Sequence, residues 1–397
     1  MNTKKIFIIA VILLALVTSA LVVYNLFFKK PASPEGEQAG ALPSAPASRG
    51  GEEKGKTGLP GGAEEKTAPD AKPAALKIKP ISQEKVLGAA IGSDGQTVKY
   101  YALSNGQVWE SDFDGLNFKK ISSVSLNNLI KILWSPDKEK VIGVFYDNGQ
   151  VKKYSHNYTS GQSVLLSEAI GYVAWSPDSK KIAYQFSKPE EEQSNISLAN
   201  PDGSSWKNIF KTRLENLIVE WPAKEKISLS APASGLAQGL LYAINSETGD
   251  FHKVLSDLYG LSVKWSPKAD KILFSTTDYR GKSPRLVLSD EQGNQTKELK
   301  LAGLADKCVW SKDDRTIFCA LPQEISINAT WPDDYYKGLV ILKDDFYKIN
   351  LETGERTKIA GSTSELSYDA QDLFLSPKED YLFFVNRRNG LLYRIKL

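Results

Sequence analysis

Residues 173–186 read VAWSPDSKKIAYQF, and this stretch decides the fold. An apolar run ends at Trp175. Pro177 then presets the backbone for the first corner of a turn, and Ser176 and Asp178 supply side-chain groups that bond to nearby amides and stop the strand. Lys180 and Lys181 sit in the turn region, after which Ile182, Tyr184 and Phe186 alternate as they do in a half-buried strand. The segment is therefore a strand, a tight turn and a second strand. A flat indole at Trp175 buries a large area between twisted sheets, so it reads as a wedge between structural units.

The same pattern returns along the chain. Trp-Ser-Pro occurs at Trp134, Trp175 and Trp265, and degraded copies follow Trp221 and Trp310. Successive tryptophans lie 41, 46, 44 and 45 residues apart, the period of one four-stranded propeller blade. Two further modules lack the Trp: Ile91 is followed by GSDGQTVKYYAL and Leu375 by SPKEDYLFFVN. Third and fourth strands are visible in GLLYAINSETGDFHKVL after Gln238 and DFYKINLETGERTKIA after Asp344, with the Gly of each ETG supplying a positive φ at a hairpin turn. The count predicts an all-β, seven-bladed propeller over residues 76–397, with six or eight blades as alternatives. The last module stops at LLYRIKL, after its third strand, while a spare strand, LKIKPIS, runs from Leu76 to Ser82 ahead of the first. Pairing the two closes the ring and removes both exposed edges.

The Trp-Ser-Pro-Asp turns followed by Lys-x-Ile-x-Tyr/Phe resemble the repeats of TolB-like propellers, bacterial relatives of WD-repeat proteins. The resemblance covers nearly all of residues 76–397 and implies the propeller fold. It departs from TolB in blade number, since that family has six. The soluble periplasmic placement of TolB also differs from what the N-terminus here implies, so its envelope role is not carried over.

That N-terminus changes character twice. Residues 1–5 form a short tail containing Lys4 and Lys5, and Ile6 to Phe28 are 23 positions without a charge. About 20 apolar residues cross a bilayer core of roughly 30 Å as a helix. The charge balance favours a cytoplasmic N-terminus and an exported body. The expectation is a single-pass anchor with the propeller on the extracytoplasmic side; the alternative is a signal peptide cleaved near Ala20 and a secreted domain. Residues 29–75 hold Pro, Ala, Gly, Ser, Glu and Lys with no Ile or Val. Such a segment buries too little apolar surface to offset the entropy of ordering, and reads as a disordered tether.

Net charge is +3, and no dense Lys/Arg stripe interleaves with aromatics, so nucleic acid is not an expected partner. Two Cys and two His leave little material for a metal centre, and no cofactor motif is present. No G-x-S-x-G occurs, and His156 and His252 lie in different blades without a nucleophile pattern. Asp112-Phe-Asp-Gly115 is too short for a calcium ligand set and reads as a hairpin turn. Cys308 and Cys319 each lie five positions from the nearer of Asp313 and Asp314, so a hairpin centred there sets them face to face. Either a structural disulfide or two buried thiols fits, because other blades put Val173 with Tyr184 and Val263 with Phe274 at these positions.

The best functional signal is an insertion, PQEISINATWPDDYYKG, from Pro322 to Gly338 between the second and third strands of the sixth blade. Strand alternation sends it to the face opposite the Ser-Pro-Asp turns, together with the long loops after Phe186, Ser230 and Ser275. Trp331, Tyr335 and Tyr336 beside Asp333 and Asp334, with Tyr279 and Arg280 from the neighbouring loop, have the composition of a recognition surface. The competing reading is a plug whose aromatics pack inward. Two functions follow: a platform binding a protein, peptide or glycan, or a propeller-type hydrolase or lyase using Asp333 and Asp334 as acid and base.

Overall fold

In a computed structural model of the chain, residues 77–122 and 125–397 are described. The tail, the apolar run and the tether expected over residues 1–75 lie outside them. Among the described residues no helix is long and apolar enough to cross a membrane.

The chain from Lys77 onward is a seven-bladed propeller, each blade a four-stranded antiparallel sheet. Blades 1 to 6 span Val86–Ser122, Leu129–Leu165, Ile170–Thr212, Ile218–Tyr259, Ser262–Glu298 and Cys308–Gly361. Blade 7 joins strands Ala370–Leu375, Tyr381–Asn386 and Leu392–Lys396 to the strand Ile78–Pro80. Ile78 faces Ile395 and Pro80 faces Tyr393, so the two ends of the domain close the ring. Ser82 Oγ reinforces the seam by accepting from the amide of Leu392 at 2.9 Å.

Apolar contact between blades follows from the strand alternation. Among the described residues, each junction between consecutive blades carries one buried cluster. Blades 2 and 3 meet through Ile142, Val173, Trp175 and Ile182, and blades 7 and 1 through Val98, Tyr100, Phe383 and Val385. The tryptophans add a directional bond to this packing. Trp175 Nε1 donates to Leu133 O of the preceding blade at 2.9 Å, and Trp310 Nε1 to Lys264 O at 3.2 Å. Trp221 instead turns to Lys224 O within its own blade.

The turn serine does its work from inside. Ser176 is buried, its Oγ donates to Asp178 Oδ1 at 2.6 Å and accepts from the amide of Lys181 at 2.9 Å. Ser135 and Ser376 repeat the arrangement. The fourth turn residue, Ser179 here and Lys138 or Glu379 elsewhere, takes a positive φ near +60° although it is not Gly. Turn residues favoured for capping were legible in the sequence; this left-handed corner was not, because nothing about Ser, Lys or Glu marks it.

Cys308 pairs with Cys319 in register and the two sulfurs are bonded. Both are fully buried. A loop this short gives a crosslink worth about 3 kcal/mol in the chain-entropy account. Asp112 caps its own hairpin, accepting from the amides of Asp114 and Leu116. Its carboxylate is thereby used within the turn.

Candidate functional site

The turns between first and second strands all emerge on one face of the disc, and the enlarged loops of blades 3 to 6 emerge on the other. On that loop face the insertion of blade 6 extends from Gln323 to Lys343, between strands Thr316–Pro322 and Asp344–Asn350. It forms a small core of its own from Leu304, Ala329, Trp331, Tyr335 and Leu342, around the helical turn Asp333–Tyr336. Trp331 is only 1% exposed. Its indole donates to Ser326 O at 3.1 Å.

Each residue singled out from the sequence has a definite place here. Asp333 reaches across to the loop of blade 4, where Oδ1 accepts from Ser234 Oγ at 2.9 Å and Oδ2 from the amide of Gly235 at 2.7 Å. Asp334 accepts from the amide of Thr330 at 2.7 Å, capping its own turn. Tyr335 is buried. Tyr336 is partly exposed and donates its hydroxyl to Asp306, which also accepts from Ser262 Oγ at 2.7 Å. Tyr279 is exposed, with the guanidinium of Arg280 5.0 Å from its ring centre. Trp331 and Tyr335 thus pack inward, as the plug reading expects of the aromatics, while Tyr336 stays at the surface beside the neighbouring loop.

Two glycines let the insertion settle this closely. The amide of Trp331 donates to Gly281 O at 2.7 Å. A Cβ on Gly235 would lie 2.1 Å from Trp331 O and 2.5 Å from Gly281 Cα. Gly281 also holds φ at +69°. Any side chain at this saddle displaces the insertion.

Beneath it lies a buried ionic knot that the sequence did not announce. Lys307 is 1% exposed, and its ammonium donates to Asp369 Oδ1 at 2.8 Å, Ala370 O at 2.7 Å and Tyr335 Oη at 3.0 Å, with Asp344 Oδ2 at 2.9 Å. Tyr335 in turn donates to Asp369 Oδ1 at 2.9 Å. Burial works against the charged amine, but Asp344, Tyr335 and Asp369 outweigh it and hold the lysine's pKa above its ordinary value. Arg387 covers the Tyr335 ring at 4.2 Å and donates to Tyr335 O, tying blade 7 to the insertion.

The central channel carries a second set of ionisable groups. First strands run from the loop face to the turn face, and the residue that precedes each Trp position lines the axis. Ala90, Leu133, Ala174, Glu220 and Phe374 bound a channel cavity of about 820 Å³. Lys264 holds the corresponding place in blade 5, next to Trp265. Nearer the loop face stand Lys131 of blade 2 and Asp372 of blade 7. Asp372 occupies a bulge with φ +53°, a device that re-aims a side chain. The side chains of Lys131 and Asp372 are exposed, and Glu220 Oε2 is a buried acceptor without a partner. Burial pushes the Glu220 carboxyl up to about 7 and the Asp372 carboxyl upward, while it pushes the Lys264 amine down. A groove of about 820 Å³ on the loop face of blades 2 and 3 shares Lys131, Leu133, Tyr172 and Val173 with the channel wall.

His156 does meet a hydroxyl, Ser163 Oγ at 2.8 Å, directly across the outer strand pair of blade 2. No carboxylate is bonded to the ring, so the orienting third member of a triad is missing from this pair. Among the described residues no group of three or more His, Cys, Asp or Glu is placed to hold a metal ion.

No family profile matches this sequence, and no curated protein matches it. Solved structures do. The tricorn protease aligns over 80% of this chain at 11% identity with a TM-score of 0.51, and this chain spans 34% of that one. An oligogalacturonate lyase in complex with manganese aligns over 81% of this chain and 93% of its own, at 12% identity and a TM-score of 0.58. TolB from Acinetobacter baumannii aligns over 74% of this chain and 66% of its own at 13% identity, but its TM-score of 0.45 carries no argument. At these identities the first two matches show a shared propeller fold and nothing finer.

Proposed function

We propose that this chain is a membrane-tethered, extracytoplasmic propeller that acts as a binding or assembly platform and offers its loop face to a protein, peptide or glycan. The observation that supports this most is the bracing of the insertion. It is bonded to the loops of blades 4 and 5 and held from below by the Lys307 knot, yet it leaves Ile327 and Leu339 exposed, as are Leu236 and Tyr279 on those loops. Large apolar side chains kept at the surface by a rigid frame are what a preorganised interface requires. Arg280 and Tyr336 add polar anchors at its edge. The membrane part of the reading rests on the uncharged run from Ile6 to Phe28.

The hydrolase or lyase alternative gains less support. Asp333 uses both carboxylate oxygens, and Asp334 one of its two, on donors of the fold itself. A general acid or base needs its oxygen free to reach a substrate proton. Crosslinking the full-length protein in intact cells and recovering its partners tests the platform reading. Replacing Tyr279, Ile327 and Leu339 together by Ser is expected to abolish the recovered set. An unchanged set would remove the loop face from consideration.

A further inference from the structure

We infer that three tyrosines at the junction of blades 1 and 2 form a binding site for a small, hard trivalent cation such as ferric iron, with His156 at its outer side. The inference does not depend on the loop-face reading. It rests on where three phenol hydroxyls meet. Tyr101 comes from the second strand of blade 1 and is 2% exposed. Its hydroxyl oxygen lies 2.7 Å from Tyr158 Oη and 3.4 Å from Tyr154 Oη, both of blade 2. The three tyrosines, with His156 and Ser163, line a cavity of about 50 Å³, more than the roughly 10–15 Å³ that a single water needs. Gly143 stands directly across the strands from Tyr154, and a Cβ there would lie 2.6 Å from the Tyr154 hydroxyl oxygen. Glycine at that position is what admits the third phenol.

Bonding among themselves does not use these hydroxyls up. Three hydroxyl hydrogens serve two contacts, and three oxygens able to accept keep most of their lone pairs. The spacing suits a small ion. Oxygens about 2.0–2.1 Å from such a cation and at right angles to one another lie about 3 Å apart, between the two separations found here. Phenolate oxygen is a hard donor and selects a hard ion over a soft one. Valence follows from charge. Val108 and Leu126 complete the wall, an uncompensated charge beside them is costly, and three phenolates neutralise a trivalent ion. Uptake then balances as one ferric ion and three phenols giving a neutral tris-phenolate and three protons. Until an ion arrives the phenols keep those protons, because burial pushes the pKa of all three up. His156 supplies a neutral donor to the same cavity. Its Nδ1 is bonded to Ser163 Oγ at 2.8 Å, the kind of outer bond that orients a ligating imidazole. Tyr158 and His156 are half-buried and Ser163 is exposed, so this wall is the side from which an ion enters.

The test is titration of the chelator-stripped full-length protein with ferric nitrilotriacetate, followed by desalting, iron assay and visible absorption. One iron per chain is expected, with a phenolate-to-iron charge-transfer band. Gallium(III) should take its place without colour, and zinc(II) should not displace it. Tyr101→Phe and Tyr158→Phe keep the rings and remove one oxygen each. Each should weaken iron binding at least about tenfold, since even the loss of an outer partner costs that much, and should diminish the band. Tyr172→Phe, at an exposed tyrosine of the groove, should change neither. No iron retained by the folded wild type, iron retained without the band, displacement by zinc, or a band undiminished in both Phe variants overturns the inference. The wild-type titration needs no variant, so a misfolded mutant cannot obscure it.

Discussion

The loop face has two halves built on opposite principles. Over blades 4 to 7 polar groups are matched to one another: Lys307 is surrounded by Asp344, Asp369 and Tyr335, and Asp333 reaches the loop of blade 4. Over blades 2 and 3, Lys131 and Tyr172 stand exposed along a groove, and in the channel behind them Glu220 Oε2 of blade 4 is buried without a partner. The first half uses buried charge to fix a shape. The second leaves charge available, which is stabilising only when something else supplies the complement. Rigidity and receptivity are thus assigned to different parts of one ring.

The largest expected effect comes from breaking the matched half. Lys307→Met leaves Asp344 and Asp369 buried together without their cation and is expected to cost about 3–5 kcal/mol in denaturant unfolding. A cost below about 1 kcal/mol would mean the knot is not what holds the insertion. A smaller effect, about 1–3 kcal/mol, is expected for Gly235→Ala, whose new methyl collides with Trp331 O. Amide exchange should then rise across residues 324–342 while the strands of blade 2 keep their protection. Loosening of both regions together would show that the halves are not independent.

The smallest effect is a slope. Glu220 holds its proton more tightly when folded, with a pKa near 7 against 4.5 ordinarily. The folded state binds more protons than the unfolded one between those values, so the stability it contributes is present below about pH 4.5 and is lost as pH rises through 7. Thermal midpoints of the wild type should fall over this window more steeply than those of Glu220→Gln. Superimposable profiles would show that the channel carboxylate is solvated like any surface group.

Much of this architecture could be read from residues alone. Blade period, the Ser-Pro-Asp turns, the closing strand and the facing of Cys308 with Cys319 are local patterns or follow from counting. The insertion was legible as an irregular segment, but not the direction of its aromatics, because outside strands there is no alternation to assign inside from outside. Nothing in the sequence links Lys307, Asp344 and Asp369. Their meeting depends on three chain segments tens of residues apart converging at one blade junction. Glu220 and Lys264 each precede a Trp, yet only the closed ring turns that position toward the axis.

The seam at blade 7 also sets an order in time. Ile78 is among the first propeller residues to leave the ribosome, and its partner Ile395 follows roughly 300 residues later. At ordinary synthesis rates that interval is on the order of 15–60 s. Throughout it the strand Ile78–Pro80 has no sheet to join, and blade 1 presents to solvent the flank that Phe383 and Val385 later cover. A nascent chain in that condition is the form most exposed to proteases and to mispairing with a second copy, and the hazard ends only when the final strand arrives.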